Sequence, residues 1–283
     1  MLLPGTRAYD LPSAGNGETY RIFVHVPSTP APKDGWPLLA IVDGNAMIGL
    51  AVETSRVQSR YPASTDVEPG VIVAVGYPTD EPYDPLRRSF DLSPPPGRTY
   101  PPFTEGGPVV RTGGAVAFQR FIEDEVLPFV DRLARIDPAR RTLFGHSFGG
   151  LFALWVMFSG SAAFRRFVAA SPTIYWEDGL LLDAERLYAP PGDDAPVIVH
   201  LSAGEHEGDA LAPFQYGRED SQKRLEKAAE ARTLRLAREM AARLDALPGV
   251  SSRFEVFGGE THMSVLAAAT SRAVNVAFAI KRP

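Results

Sequence analysis

A serine lies between glycines in Gly145-His146-Ser147-Phe148-Gly149-Gly150, directly after Arg140-Arg141-Thr142-Leu143-Phe144 and directly before the apolar run 151–158. The first flank reads as a short strand and the second as a buried helix. Glycines two residues either side of a serine let backbones pass close together where a strand turns sharply into a helix. That turn lifts the hydroxyl out of the sheet as an exposed nucleophile. In a chain with 25 glycines, G-x-S-x-G alone is a moderate signal, and the bland reading is a tight turn with an idle serine. Strand before and helix after make the signal specific. Ser147 is the expected nucleophile.

A serine hydroxyl is a weak nucleophile at neutral pH and needs an adjacent base, normally histidine. Five histidines compete for that role. His25 and His200 sit inside strand-like runs and read as packed side chains. His146 adjoins the nucleophile, but its side chain is expected to point away from it. His206 lies in an acidic loop. His262 follows the final strand-like run, where the base belongs when the partners come in the order serine, acid, histidine. The expected acid is Glu207, which would fix the imidazole tautomer and stabilise imidazolium. Glu205 and Asp209 are close enough to substitute, and a Ser–His pair without an acid stays open.

His200, Glu205, His206, Glu207 and Asp209 could instead suggest a metal. No H-E-x-x-H spacing supports one, so neither metal nor cofactor is expected. A developing oxyanion needs donors: the amide of Phe148, directly after the nucleophile, and one from the loop after the run 36–42, where Asn45 is placed for it.

These residues need a scaffold. The chain has 283 residues, 45% of them hydrophobic and 22% charged, with net charge −5 and no cysteine. Such a chain suits one globular domain, 1–283, and disfavours nucleic-acid and anionic-membrane binding. Without cysteine there is no disulfide framework, which fits a reducing cytoplasm. The first residues lack the charged and apolar regions of a secretion signal, and no apolar stretch is long enough for a membrane span. A cytoplasmic enzyme acting on a small-molecule substrate is therefore expected.

Strand-like runs at 18–27, 36–42, 70–76, 140–144, 166–170, 196–202 and 252–257 alternate with helical stretches, after a weaker strand at 6–11. This predicts an α/β fold: a twisted, mostly parallel sheet with helices on both faces. Helices are expected to about residue 59, over 115–133 with Pro128 as a kink, and as one long helix over 221–247. Two irregular stretches, 77–114 with nine prolines and 183–221, are expected to wall the active site.

Five segments stand out: Leu39-Ala40-Ile41-Val42-Asp43-Gly44-Asn45-Ala46, Arg87-Arg88 to Asp91-Leu92-Ser93-Pro94, the turn Gly145–Gly150, Ser171-Pro172-Thr173-Ile174-Tyr175-Trp176 and Gly258-Gly259-Glu260-Thr261-His262. Together they resemble the α/β-hydrolase branch of enterochelin and salmochelin esterases and esterase-D-like enzymes. The resemblance covers most of the chain. It implies a cofactor-independent serine ester hydrolase working through an acyl-enzyme, with Ser147 as nucleophile, His262 as base and Asn45 with Phe148 as oxyanion donors. The substrate it implies is a siderophore ester of the catecholate trilactone type; a short-chain carboxylesterase or thioesterase is the alternative, and a non-catalytic binding scaffold a third. Arg87 or Arg88 could recognise an anionic or catecholate group, or pair with Asp91 to hold the loop. Tyr175 and Trp176 offer flat surfaces to an aromatic ring, or pack in the core. The pattern departs from the branch at Val42, at Ser93 and at Thr173-Ile174-Tyr175.

Overall fold

The structure is a computed structural model that describes residues 3–192 and 195–280. It divides into two compact units, Met1–Phe144 with Thr270–Pro283, and Gly145–Ala269.

The first unit begins with β1 (Thr6–Pro12) and β2 (Thr19–His25), followed by β3 (Trp36–Val42), helix α1 (Gly44–Gln58), the single turn α2 (Pro62–Thr65) and β4 (Val71–Gly76). All seven residues of β3 and all six of β4 are buried. Continuous apolar runs of that kind suit parallel strands covered on both faces. They are hydrogen-bonded in parallel, Leu39 facing Ile72 and Ile41 facing Ala74. On the other side of β4, β2 pairs antiparallel, and β1 pairs antiparallel with β2. Helix α1 lays Met47, Ile48, Ala51, Val52 and Ser55 inward at helical spacing, against β4 and β3.

The stretch 77–114 is less irregular than its prolines suggest. It holds helix α3 (Pro85–Asp91) and a two-stranded ribbon of β5 (Thr99–Tyr100) and β6 (Val110–Arg111). Pro85 occupies the first turn of α3, where its missing N–H is no loss, and Asp84 caps that helix by accepting from the Arg87 amide. The helix expected over 115–133 is observed as α4 (Ala115–Arg120), a π-helical turn (Phe121–Val126) and α5 (Leu127–Leu133). The widened turn ends just before Pro128, whose ring crowds the carbonyl four residues back and lacks an N–H. Strand β7 (Ile136–His146) starts four residues earlier than expected and pairs parallel with β3.

The second unit starts at the end of β7 and continues through α6 (Phe148–Phe158), β8 (Arg166–Ala170), α7 (Trp176–Leu187), β9 (Val197–Gly204), α8 (Ser221–Ala231), α9 (Thr233–Asp245) and β10 (Val250–Phe257); α10 (Leu266–Phe278) returns to the first unit. Strands β8, β9 and β10 are parallel neighbours in that order. Helix α6 packs on β8, and α9 packs on β9 and β10.

The long helix expected over 221–247 is two helices. Arg232, left-handed at φ 49°, breaks the run. The reason is visible in burial: α9 buries Leu236, Ala237, Met240, Ala241 and Leu244, whereas α8 buries nothing. Packing, rather than helix propensity, supplies most helix stability, so α8 has nothing to hold it collinear with α9. Among the described residues no helix is long and apolar enough to cross a membrane.

Candidate active site

Ser147 occupies the turn between β7 and α6 with φ 59° and ψ −116°. A non-glycine residue in so sparsely populated a region costs of order 1–3 kcal/mol and persists only where its surroundings over-determine it. Here they do. The Ser147 N–H donates to the Ala170 carbonyl at 3.0 Å, and the Ser147 carbonyl accepts from Leu151 at 3.0 Å and from Thr173 at 3.3 Å. Gly145 is a steric necessity, since a Cβ there would stand 2.2 Å from the Gly149 carbonyl carbon. The first amides of α6, including that of Phe148, have no acceptor inside their own helix and lie at its positive end.

Ser147 Oγ lies 3.1 Å from His262 Nε2, and His262 Nδ1 lies 2.6 Å from Glu207 Oε2. The serine is half-buried and so is the imidazole, while the Glu207 side chain is 4% exposed. Glu207 ends the 3₁₀ turn Glu205–Glu207 directly after β9, and His262 lies in the loop after β10. Because β9 and β10 are parallel neighbours, with Phe257 opposite Gly204, their trailing loops emerge side by side. Burial alone would push the Glu207 carboxyl up. The bond and charge of His262, the Ser171 hydroxyl and the Gly204 amide more than offset it, and the group is held below its ordinary value as a carboxylate. A carboxylate can only accept, so Nδ1 is the donor of the 2.6 Å bond to Glu207 and Nε2 is the nitrogen that faces the Ser147 hydroxyl.

Of the alternative acids, Glu205 is used otherwise: its Oε2 accepts the Gly259 amide at 2.7 Å, bracing the loop that carries His262. Asp209 is exposed. His206 donates its backbone N–H to the Glu260 carbonyl, a second brace on that loop. His25 is buried in β2, 3.2 Å from Thr6 Oγ1, and burial holds its imidazole below the ordinary value. His200 is buried in β9, 3.2 Å from Glu255.

Sequence reasoning gave no role to two further residues. His146 Nε2 donates to the His262 carbonyl at 2.8 Å and the two rings lie 4.8 Å apart. Ser171 is fully buried and its hydroxyl donates to Glu207 Oε1 at 2.5 Å. Position within Gly145–Gly150 hinted at the first, whereas nothing in the sequence ties residue 171 to residue 207.

Tyr175 and Trp176 are both half-buried at the start of α7. Phe148 meets the Trp176 ring edge-on, with centroids 4.7 Å apart. Glu177, Asp178 and Gly179 follow with φ of 50°, 58° and 89°, so the chain makes a left-handed turn beside that aromatic pair.

Within the first unit, Asn45 is the second residue of α1. Its side chain accepts from the Tyr77 amide at 2.9 Å and donates to the carbonyls of Tyr77 and Thr79 at 3.0 and 2.9 Å. These bonds leave the Asn45 backbone amide at the helix N-terminus and tie the turn after β3 to the end of β4. The arginine pair differs from the expected pairing with Asp91. Arg88 pairs with Asp43 rather than Asp91, through two bonds of 2.9 and 2.8 Å. The Asp43 side chain is 1% exposed and its backbone is left-handed at φ 55°. Arg87 donates to the Thr19 carbonyl and lies over the rings of Tyr20 and Tyr77, at 4.5 and 4.9 Å. With Leu86, Phe90, Asp91, Val109 and Arg111 it lines a cavity of about 310 Å³. Asp91, bonded to the Tyr20 hydroxyl, is raised by burial to about 7 despite the nearby Arg87 charge.

A serine on a strained strand-to-helix turn, hydrogen-bonded to a histidine that is bonded in turn to a buried carboxylate behind parallel strands, is the arrangement of a serine hydrolase of the α/β-hydrolase type. Residues 13–242 match the Esterase family. The chain belongs to that family. It is 35% identical over 280 residues to the ferri-bacillibactin esterase BesA of Bacillus subtilis, covering 98% of this chain and 90% of the relative. Solved structures agree. The BES protein from Bacillus cereus superposes with TM-score 0.82 at 28% identity, covering 99% of this chain and 98% of the other. The siderophore hydrolase EstA from Aspergillus nidulans gives 0.78 at 32%, covering 95% and 93%.

Proposed function

We propose that this protein hydrolyses the ester bonds of a siderophore of the catecholate trilactone type. Ser147 attacks the ester carbonyl as His262 Nε2 takes its proton, and the C–O bond breaks as the imidazolium returns that proton to the leaving alkoxide. Water then cleaves the acyl-enzyme by the same exchange in reverse. Glu207 holds the imidazolium throughout. The backbone amides of Phe148 and Asn45 are assigned the oxyanion; each stands in the first turn of a helix, where N–H groups lack helical acceptors. Tyr175 and Trp176 are assigned the aromatic arms of the substrate. Of the arginine pair, Arg87 keeps a role towards the anionic substrate, and Arg88 serves it through the turn at Asp43. A cytoplasmic site of action belongs to this reading, in keeping with a chain that has no cysteine.

The observation that carries the proposal is the Ser147–His262–Glu207 hydrogen-bonded relay, in a chain that aligns over 98% of its length with an esterase of ferri-bacillibactin. The test is a hydrolysis panel of ferric and apo trilactone siderophores, simple p-nitrophenyl esters and acyl thioesters, with wild type and Ser147→Ala. Siderophore cleavage by wild type and none by the variant is expected. Cleavage of simple esters alone would sink the substrate and leave the mechanism standing; full turnover by Ser147→Ala would sink the mechanism.

A further inference from the structure

Glu207 Oε1 carries two donors that take no part in the proton relay. The Gly204 amide reaches it at 2.8 Å, and the Ser171 hydroxyl at 2.5 Å. Ser171 directly follows β8 and is left-handed at φ 45°, a conformation non-glycine residues adopt only when something over-determines it. What fixes it is its neighbourhood. Its own N–H donates to the Ser202 carbonyl of β9 at 2.7 Å, and it is closed from solvent. The residues on either side of it hold the nucleophile: Ala170 accepts the Ser147 N–H, and Thr173 donates to the Ser147 carbonyl. Gly150 of α6 packs against Pro172, where a Cβ would stand 3.0 Å from the Pro172 Cα. One turn, 170–173, thus grips the backbone of Ser147 and the side chain of Glu207.

We propose that Ser171 is a positioning residue for the ester-hydrolysis reaction, locking the Glu207 carboxylate so that Oε2 stays aimed at His262 Nδ1. This rests on the reading of Ser147, His262 and Glu207 as the relay. A carboxylate at the end of a flexible side chain can turn about its last torsion, which is broad for glutamate. With only the Gly204 amide on Oε1 it pivots about that bond; two donors converging on Oε1 remove the freedom. They also favour the charged form of a buried group, so losing one makes Glu207 a stronger proton acceptor. A stronger acceptor beside imidazolium makes His262 harder to deprotonate. Activity that needs neutral His262 then begins at higher pH.

Ser171→Ala is the direct test, with Ser171→Gly as the variant whose backbone suits a positive φ if alanine impairs folding. Neutral p-nitrophenyl esters are the substrate, so that the result does not depend on the siderophore assignment. The expected kcat/KM is about 10- to 100-fold lower, the magnitude of a small misplacement of reacting groups. Its acidic limb is expected to move to higher pH. In a Glu207→Gln background, Ser171→Ala is expected to change kcat by less than about twofold, because the carboxylate it positions is gone. The inference is overturned if both Ser171 variants keep the wild-type rate and pH profile. It is overturned equally if the loss multiplies independently with Glu207→Gln. Wild-type activity in Glu207→Gln alone overturns the relay itself, a failure distinguishable from that of Ser171.

Discussion

Replacing Glu207 by glutamine tests the relay most sharply, because its surroundings dictate what the amide must do. Glu207 Oε1 accepts from Ser171 and from the Gly204 amide, and Oε2 accepts from His262 Nδ1. Glutamine has one oxygen for these three donors. If that oxygen faces His262, the NH₂ group opposes the Gly204 N–H in a site only 7% exposed. An unmet buried donor costs about 1–3 kcal/mol, so this orientation is disfavoured. If the oxygen stays with Gly204 and Ser171, the NH₂ faces His262 and requires Nδ1 to be an acceptor. The ring proton then moves to Nε2 and points at Ser147, and the base is lost. A wrong tautomer of this kind lowers kcat about 10⁴-fold, which is about 5 kcal/mol of barrier. For Glu207→Gln we expect a loss of about 10³–10⁴-fold in kcat with KM little changed. The assay is single-turnover p-nitrophenyl ester cleavage, with folded protein counted by thermal unfolding. A kcat within tenfold of wild type would refute the argument.

Two further perturbations probe the scaffold. Removing Arg88 leaves the Asp43 carboxylate, 1% exposed, without its two-pronged partner, and breaking a buried pair this way costs about 3–5 kcal/mol. Arg88→Ala should lower the urea midpoint accordingly, with Arg88→Lys recovering part; a change under about 1 kcal/mol would mean that the pair is not structural. Asp91 titrates near 7 in the folded protein against an ordinary 3.8, so folding takes up a proton between those values. The stability tied to that proton is complete below about pH 4 and is lost as pH rises through 7, by at most about 4 kcal/mol at 1.36 kcal/mol per pH unit. Asp91→Asn should flatten unfolding free energy between pH 5 and 8 and exceed wild type at pH 8; an unchanged slope would contradict the assignment.

Much of this was legible in the sequence because it is local. Gly145 and Gly149 around Ser147 report a close crossing within five residues, and the apolar runs of β3 and β4 report strands buried on both faces. Helix breaks were less legible. Nothing in Ser221–Ala231 announces that it lacks a burial partner, so the stop at Arg232 could not be foreseen. The order of serine, carboxylate and histidine along the chain favoured Glu207 as the acid but left Glu205 and Asp209 open as substitutes.

The sequence by itself determined the turn at Ser147, the candidate nucleophile and base, and the alternating α/β plan, since each depends on spacing within one element or on chain order. Tertiary structure alone decided the partners. It set Glu207 rather than Glu205 or Asp209 on His262, gave Arg88 to Asp43 rather than Asp91, turned His146 to the His262 carbonyl, and laid Ser171 against Glu207. The physical reason is that a hydrogen bond is fixed by register between strands and by the exit direction of loops. Gly204 lies opposite Phe257 only because β9 and β10 are parallel neighbours, and no local pattern encodes that pairing.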